Sequence, residues 1–372
     1  MKVCHVSSAH KNDDARIFRL ECVSLAAEGY DVYMVVEGES KDVQGVHIIG
    51  LGKQPESRLK RMTRYTRKAY QVALSLDCEI YHIHDPELLP YARKLKKHGK
   101  TVIFDSHENT LEQMEEKTWI PRQLRSLVSR MYRRYATSIF SELDCLVSVT
   151  PHIVEQLKVI NPRTYMITNY PIVAEYPYRE QKEEFALCFT GGIDSQWNHK
   201  LVIDAISELD GVTYNLCGRS SSDYIESLKR LSGWNKVNYF GKVPFSKAIE
   251  IQCVSSAGIA LLSPSNNTGG MTGTIGNTKL FEYMMARLPL ICTNFQLWKE
   301  IIEKYQCGIC VPHNDIQALK EAILFLKNNP DEANKMGENG RRAVIEEYNW
   351  KTEEKIMFSM YEELAREVVK NT

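Results

Sequence analysis

The chain has 372 residues, enough for two domains at roughly 150 residues each. Lys plus Arg number 47 and Asp plus Glu number 47, so the formal net charge is zero, which argues against nucleic acid as a partner while leaving room for local patches. With 43% hydrophobic and 25% charged residues the composition is that of a folded globular protein rather than a disordered one, and no apolar run reaches the ~18 residues of a spanning helix.

The opening MKVCHVSSAHKNDD turns polar after a few apolar positions, so no secretory segment is expected there. Ten cysteines are spread through apolar runs such as ALCF and LICT, as reduced thiols behave when they pack as small hydrophobes. Together these point to a reducing cytoplasm. The single Cys-x-x-Cys, Cys307 to Cys310, lacks a second ligand pair and reads as part of a strand.

In chain order, strands are predicted at 2–8, 31–37, 46–51, 80–84, 101–106, 145–149 and 164–169. Between the first two, Phe18, Cys22, Leu25 and Ala26 recur at helical spacing, with Asp13 or Asp14 to cap the start and Gly29 to end it. Strands joined by such helices make parallel, right-handed units and a doubly wound sheet. Residues 171–184, with their prolines and charged run, read as a linker. Alternation then restarts at 185–192, 213–218, 237–243, 258–264, 289–294 and 308–312. The expected fold is therefore α/β, with two doubly wound Rossmann-like domains facing across a cleft: 1–170, and 185–345 after the linker. A long helix over roughly 341–370 is expected to reach back, with 346–372 packing on the first domain.

The strongest local signal is GNTKLFEYMMARLPLICTN, 276–294. A Gly276-Asn277-Thr278 loop enters a helix carrying Lys279 and Glu282, and such an entry presents free N–H groups and positive charge to a diphosphate. Glu282 suits sugar hydroxyls better than phosphate, or simply complements the helix dipole. Gly191 and Gly192 at a strand exit allow close approach of a ligand, or make an ordinary turn. In the first half, YHIHDPELLPY and FDSHENT put His82, His84, Asp85 and His107 at strand ends. Zinc sites use such His-x-His strands, but no further ligand cluster is evident on later strands, so His82 is read as part of a satisfied polar network and no metal or cofactor is expected. The chain contains no Asp-x-Asp, Walker loop, Gly-x-Ser-x-Gly or Gly-x-Gly-x-x-Gly, which lowers the odds of metal-anchored diphosphate binding and of NTPase, hydrolase and dehydrogenase chemistry.

Two stretches are basic. Residues 53–76 carry Lys53, Arg58, Lys60, Arg61, Arg64, Arg67 and Lys68; on a helix, Leu59, Met62, Ala69, Ala73 and Leu76 fall on one side and most of these cations on the other. Residues 117–134 carry Lys117, Arg122, Arg125, Arg130, Arg133 and Arg134 with no acid. Both are either solvated helices on their own sheet or a surface for an anionic membrane.

Seven ordered segments, HKNDDARIFRLE, YHIHDPELLPY, FDSHE, FTGG, NTKLFEYMMARLPLICTN, LWKEIIEKYQCGI and EEYNW, resemble bacterial glycosyltransferase family 4 enzymes of GT-B fold. The resemblance implies retaining sugar transfer from a nucleotide-sugar donor, usually without a metal, to lipid-linked or oligosaccharide acceptors of surface polysaccharide, at the inner membrane face. It implies catalytic roles for His107, Lys279 and Glu282, the last on the donor ribose. Donor contacts are then expected at Gly191, Gly192, Lys200, Gly218, Val243, Thr274, Gly276, Asn277 and Thr278, with the base near Val243 and Pro244. His10, Asp14 and Arg16 fall on the acceptor side. Two positions depart from the family: Thr274 stands where a glutamate is usual, and Trp197 where a basic residue is usual, with His199 and Lys200 beside it. A sugar-nucleotide epimerase of the same architecture, or a catalytically silent binding subunit, are the alternatives.

Overall fold

The computed structural model describes residues 1–106, 109, 111–112, 120–177 and 184–371. Two units emerge, Met1–Asn169 with Trp350–Thr372, and Tyr170–Asn349.

In the first unit the strands are β1 (Lys2–Lys11), β2 (Asp31–Glu37), β3 (Lys41–Val43), β4 (Val46–Gly50), β5 (Ile80–Ile83), β6 (Thr101–Ser106), β7 (Cys145–Ser148) and β8 (Thr164–Met166). They form one sheet in the order β3-β4-β2-β1-β5-β6-β7-β8, parallel except for the β3–β4 pair. The short β3 was not predicted. It forms a hairpin with β4 through Gln44 and Gly45, both at positive φ. Parallel sheets are covered on both faces, which is why β5 and β7 are buried at every residue. Alternate side chains feed two cores. Cys4, Val6, Tyr81, Ile83 and Phe104 point to one, and Val3, Ile80, Ile103 and Val147 to the other, where Met357, Met360 and Tyr361 of the C-terminal helix also pack.

The predicted helix over 341–370 is instead two helices, Pro330–Glu346 and Trp350–Asn371. Asn349 separates them, its amide donating back to the Val344 and Ile345 carbonyls, and the change of unit falls at this break.

The second unit holds β9 (Phe185–Thr190), β10 (Val212–Cys217), β11 (Val237–Gly241), β12 (Ala257–Ala260), β13 (Leu290–Thr293) and β14 (Gly308–Val311), ordered β11-β10-β9-β12-β13-β14 and parallel throughout. Cys310 lies in β14 opposite Cys292 of β13, which agrees with a strand reading of the Cys-x-x-Cys. Residues 171–177 are not a free linker: Arg341 donates to the Ala174 carbonyl at 2.8 Å and to the Glu175 carboxylate at 3.0 Å. In both sheets strand order reverses beside the first strand, the switch point at which open α/β folds bind ligands beyond the strands' carboxyl ends.

Candidate functional site

Beyond the carboxyl ends of β9 and β10 the backbone is drawn together. Gly191 N–H donates to Cys217 O at 2.9 Å, and Gly218 N–H to Gly241 O at 2.8 Å. A Cβ on Gly218, whose φ is +151°, would stand 1.5 Å from the Gly191 carbonyl oxygen, so only glycine fits there. Tyr283 holds the end of β9 from below, its hydroxyl accepting from Thr190 N–H at 3.1 Å.

Lys279 lies over this turn. Its Cε would be 2.5 Å from a Cβ on Gly191, so the missing side chain is what lets the lysine stem cross the glycine. Its Nζ sits 2.8 Å from Glu282 Oε2, and Thr278 Oγ1 donates to Glu282 Oε1 at 2.7 Å. The Asn277 side chain accepts from Lys279 N–H at 3.0 Å. Thr274 Oγ1 accepts from Gly276 N–H at 3.1 Å, and the Thr274 carbonyl from Trp298 Nε1–H at 2.6 Å. Burial pushes the Cys217 thiol up, while the Lys279 charge and the Val243 backbone pull it back part of the way. Gly191, Gly218, Val243, Thr278, Lys279 and Glu282 thus gather around one glycine-floored, cationic turn, although they span ninety residues of sequence.

Other predicted residues fall elsewhere. Lys200 is exposed on the helix His199–Ser207, and among the described residues no hydrogen bond or ion pair joins it to this turn. Trp197 is buried against Phe189 with ring centroids 5.0 Å apart, which is packing rather than a substitute for a base. His199 bonds to the Tyr214 hydroxyl at 2.9 Å, and burial lowers its pKa to about 3, so it stays neutral. The charge over the glycine turn comes from Lys279, brought in from a distant helix. Tyr283 and Cys217 carry no motif that would have marked them in the sequence.

In the first unit, Asp14 caps the turn that begins at Ala15. Its Oδ1 accepts from Arg16 and Ile17 N–H, both at 2.9 Å, and its Oδ2 lies 2.8 Å from His10 Nδ1. Burial works against a charged His10, but the Asp14 hydrogen bond and the Asp85 charge outweigh it and raise the imidazole's pKa. His10 and Asp14 are both part-exposed. Arg16 is not: it is buried, with Asp105 at 2.8 Å, Glu21 at 3.0 Å and the Ile167 carbonyl at 2.9 Å. Its guanidinium braces the unit rather than facing an acceptor. Asp85 holds the later part of β1, accepting from Ser7 Oγ at 2.8 Å and Ser8 N–H at 2.6 Å. His107 lies outside the described residues.

The His-x-His strand also differs from expectation. His82 Nδ1 bonds the Tyr361 hydroxyl at 2.8 Å, but its Nε2, fully buried, has no hydrogen-bond partner, so the network around it is not a satisfied one. Further metal-ligand candidates do exist, earlier in the chain rather than later: His5 and Glu21 join His82 and His84, with one ligand atom from each all within 4.8 Å of one another.

Two doubly wound sheets of this strand order, with a cationic glycine turn at the switch point of the second, are the arrangement of a GT-B fold. Residues 176–343 match the family described as glycosyl transferases group 1, and 15–167 the glycosyl transferase 4-like domain. The chain belongs to the type 4 glycosyltransferases of GT-B fold. It is 27% identical over 243 residues to an uncharacterised glycosyltransferase of Methanocaldococcus jannaschii, covering 64% of each chain. A second from the same organism is 26% identical over 192 residues, 50% of this chain and 46% of that one, so the chain spans about two thirds and about half of these relatives. Among solved structures, sucrose-phosphate synthase of Thermosynechococcus elongatus superposes with a TM-score of 0.77 at 16% identity, over 98% of this chain and 99% of that one. HepE of Anabaena, solved in complex with UDP and glucose, does so with a TM-score of 0.74 at 12% identity, over 98% and 100%. These likenesses show the fold.

Proposed function

We propose that the chain transfers a sugar, with retention of configuration, from a nucleotide-sugar donor to a lipid-linked or saccharide acceptor in surface polysaccharide synthesis. The observation that carries this reading is the Lys279 ammonium laid over Gly191 and steadied by Glu282 at 2.8 Å. A donor diphosphate seated against Gly191, Gly192 and Gly218 meets main chain that can approach it closely, and one full positive charge. An ammonium has three donors, so Lys279 can keep Glu282 while it takes a phosphate oxygen. Negative charge grows on the leaving diphosphate as the glycosidic bond breaks, so a fixed cation there stabilises the transition state more than the ground state. Glu282, oriented by Thr278 and Lys279, is placed for the ribose hydroxyls, with the base toward Val243. Uracil is the base we propose, since HepE is among the neighbours solved with UDP. In a retaining, same-face reaction the departing phosphate oxygen takes the acceptor's proton, and no metal is needed at the diphosphate.

A second part of the reading places the first unit on an anionic membrane. Leu59 is 73% exposed and Met62 43% exposed, beside Arg58, Lys60 and Arg64. On the helix Arg125–Phe140, Met131 is 66% exposed and Leu127 52% exposed, flanked by Arg130, Arg133 and Arg134. Apolar tips standing among cations suit insertion at a lipid headgroup layer. Lys117 lies outside the described residues, and among those described no helix is long and apolar enough to cross a membrane.

Incubating the protein with a panel of nucleotide sugars and a lipid-linked saccharide tests the enzymatic reading. Transfer, or slow donor hydrolysis, is expected. An epimerised sugar nucleotide, or no turnover by folded protein, overturns it.

A further inference from the structure

The buried histidine cluster of the first unit has no part in the donor chemistry, and it is built unlike a polar network. We propose that His5, Glu21, His82 and His84 form a closed zinc site.

His5 and His82 are paired across β1 and β5, and His84, two residues on, points to the same face of the sheet. Glu21 comes from the turn that follows β1. All four side chains are at most 2% exposed. Three of the donor atoms have separations close to the edges of a tetrahedral site, with the fourth residue's ligand atom within 4.8 Å: His5 Nδ1 to His84 Nε2 is 2.9 Å, Glu21 Oε2 to His5 Nδ1 is 3.6 Å, and Glu21 Oε2 to His84 Nε2 is 3.8 Å. Metal–ligand bonds of ~2.0–2.1 Å at the tetrahedral angle put ligand atoms about 3.3 Å apart. The remaining corner is His82 Nε2, one of the buried atoms with no hydrogen-bond partner, as is Glu21 Oε2.

Two of the ring nitrogens facing away from this centre, on His5 and His82, are supported as ligating histidines require. The Tyr361 hydroxyl lies 2.8 Å from His82 Nδ1 and 3.2 Å from His5 Nε2, so its oxygen can accept from both when the opposite ring nitrogens ligate. Asp105 Oδ2 lies 3.6 Å from His84 Nδ1. Arg16 stands on Glu21 Oε1 at 3.0 Å and leaves Oε2 to the ion. Without the ion, one nitrogen of the 2.9 Å His5–His84 contact must carry a proton. With it, that proton moves to the same ring's other nitrogen, where it faces Tyr361 or Asp105. Three imidazoles and one carboxylate in a tetrahedral setting suit zinc, and four protein ligands with no open position make the ion structural.

The test does not depend on sugar transfer. The full chain is produced in zinc-supplemented medium, passed through EDTA, checked for folding by circular dichroism, and its metal counted by inductively coupled plasma mass spectrometry. One zinc per chain is expected, released to a chromophoric chelator only on unfolding, and absent from Glu21→Gln and His82→Asn. Refolding the wild-type chain with Co²⁺ should give the visible absorption of a tetrahedral ion, which stands even where the variants fail to fold. Folded wild-type protein that is metal-free and takes up neither zinc nor cobalt on refolding overturns the proposal, as does a variant that retains zinc equally.

Discussion

Replacing Lys279 with alanine removes the only cation that the described contacts place over the Gly191 turn, and the structure limits what else changes. The ammonium is 14% exposed and its partner Glu282 18% exposed, so neither is sealed in the core. After the substitution Glu282 loses this counter-charge but still accepts from Thr278 at 2.7 Å and keeps partial access to solvent. The loss falls on the reaction. A charge-assisted hydrogen bond contributes ~1.5–3 kcal/mol, and each ~1.4 kcal/mol is tenfold in rate, so a loss of roughly ten- to a hundredfold is expected. Because the charge it meets grows during bond breaking, most of that loss should appear in kcat, with donor affinity changing less. Glu282→Gln should do the reverse, weakening donor binding while turnover is mostly kept. The assay is calorimetric titration with nucleoside diphosphate alongside steady-state transfer, on variants whose melting temperature matches the parent. Two near-normal enzymes would show that the pair merely closes a helix turn and that the donor sits elsewhere.

Further outcomes follow from the same geometry. Gly218→Ala forces a Cβ to within 1.5 Å of the Gly191 carbonyl at a φ of +151°, and should cost about 3 kcal/mol or more with loss of donor binding, read by denaturant unfolding; an unchanged midpoint refutes the backbone argument. Burial raises the Glu353 carboxyl to about 7 against the hydrogen bond it accepts from Thr168. Its native pKa is therefore above the unfolded value, so its contribution is fully present below pH ~4.5 and lost as pH rises through 7, on the order of 3 kcal/mol. Glu353→Gln should flatten the dependence of unfolding midpoint on pH between 5 and 7.5, and an unchanged slope counts against the assignment. Transfer should survive EDTA, with the buried first-unit ion staying in place; a collapse that Mg²⁺ or Mn²⁺ restores would place a metal at the diphosphate. The protein should sediment with anionic vesicles, release with salt as charges are screened over ~10 Å at 0.1 M, and bind less as Leu127→Ser/Met131→Ser. Equal binding to neutral vesicles refutes the membrane reading.

Alternation of apolar runs with helical stretches was enough to read two doubly wound sheets, because a strand buried on both faces must be apolar throughout and a βαβ crossover has one hand. The loop at 276–282 and the glycines at 191 and 192 were legible for a related reason: backbone that must approach a ligand restricts residue type locally. Asp14 as a helix-start cap is equally local. The rest depended on distance in space. That Lys279, not Lys200, covers the glycine turn follows from a helix ninety residues away laying its stem across Gly191. Leu59 and Met62 have the spacing of a buried face, yet among the described residues nothing covers that turn and they stand exposed. The single long helix expected near the C-terminus breaks at Asn349, where a side chain captures carbonyls that the helix would have used. Arg16 sits in a motif that resembles an acceptor contact, but three buried partners claim its guanidinium. The clearest case is the histidine cluster. His82 and His84 announce themselves two apart on a strand, whereas His5 and Glu21 become their neighbours only through the parallel register of β1 against β5 and the turn beyond β1. Register is a property of the folded sheet, set by which faces are buried, and no local pattern in the chain encodes it.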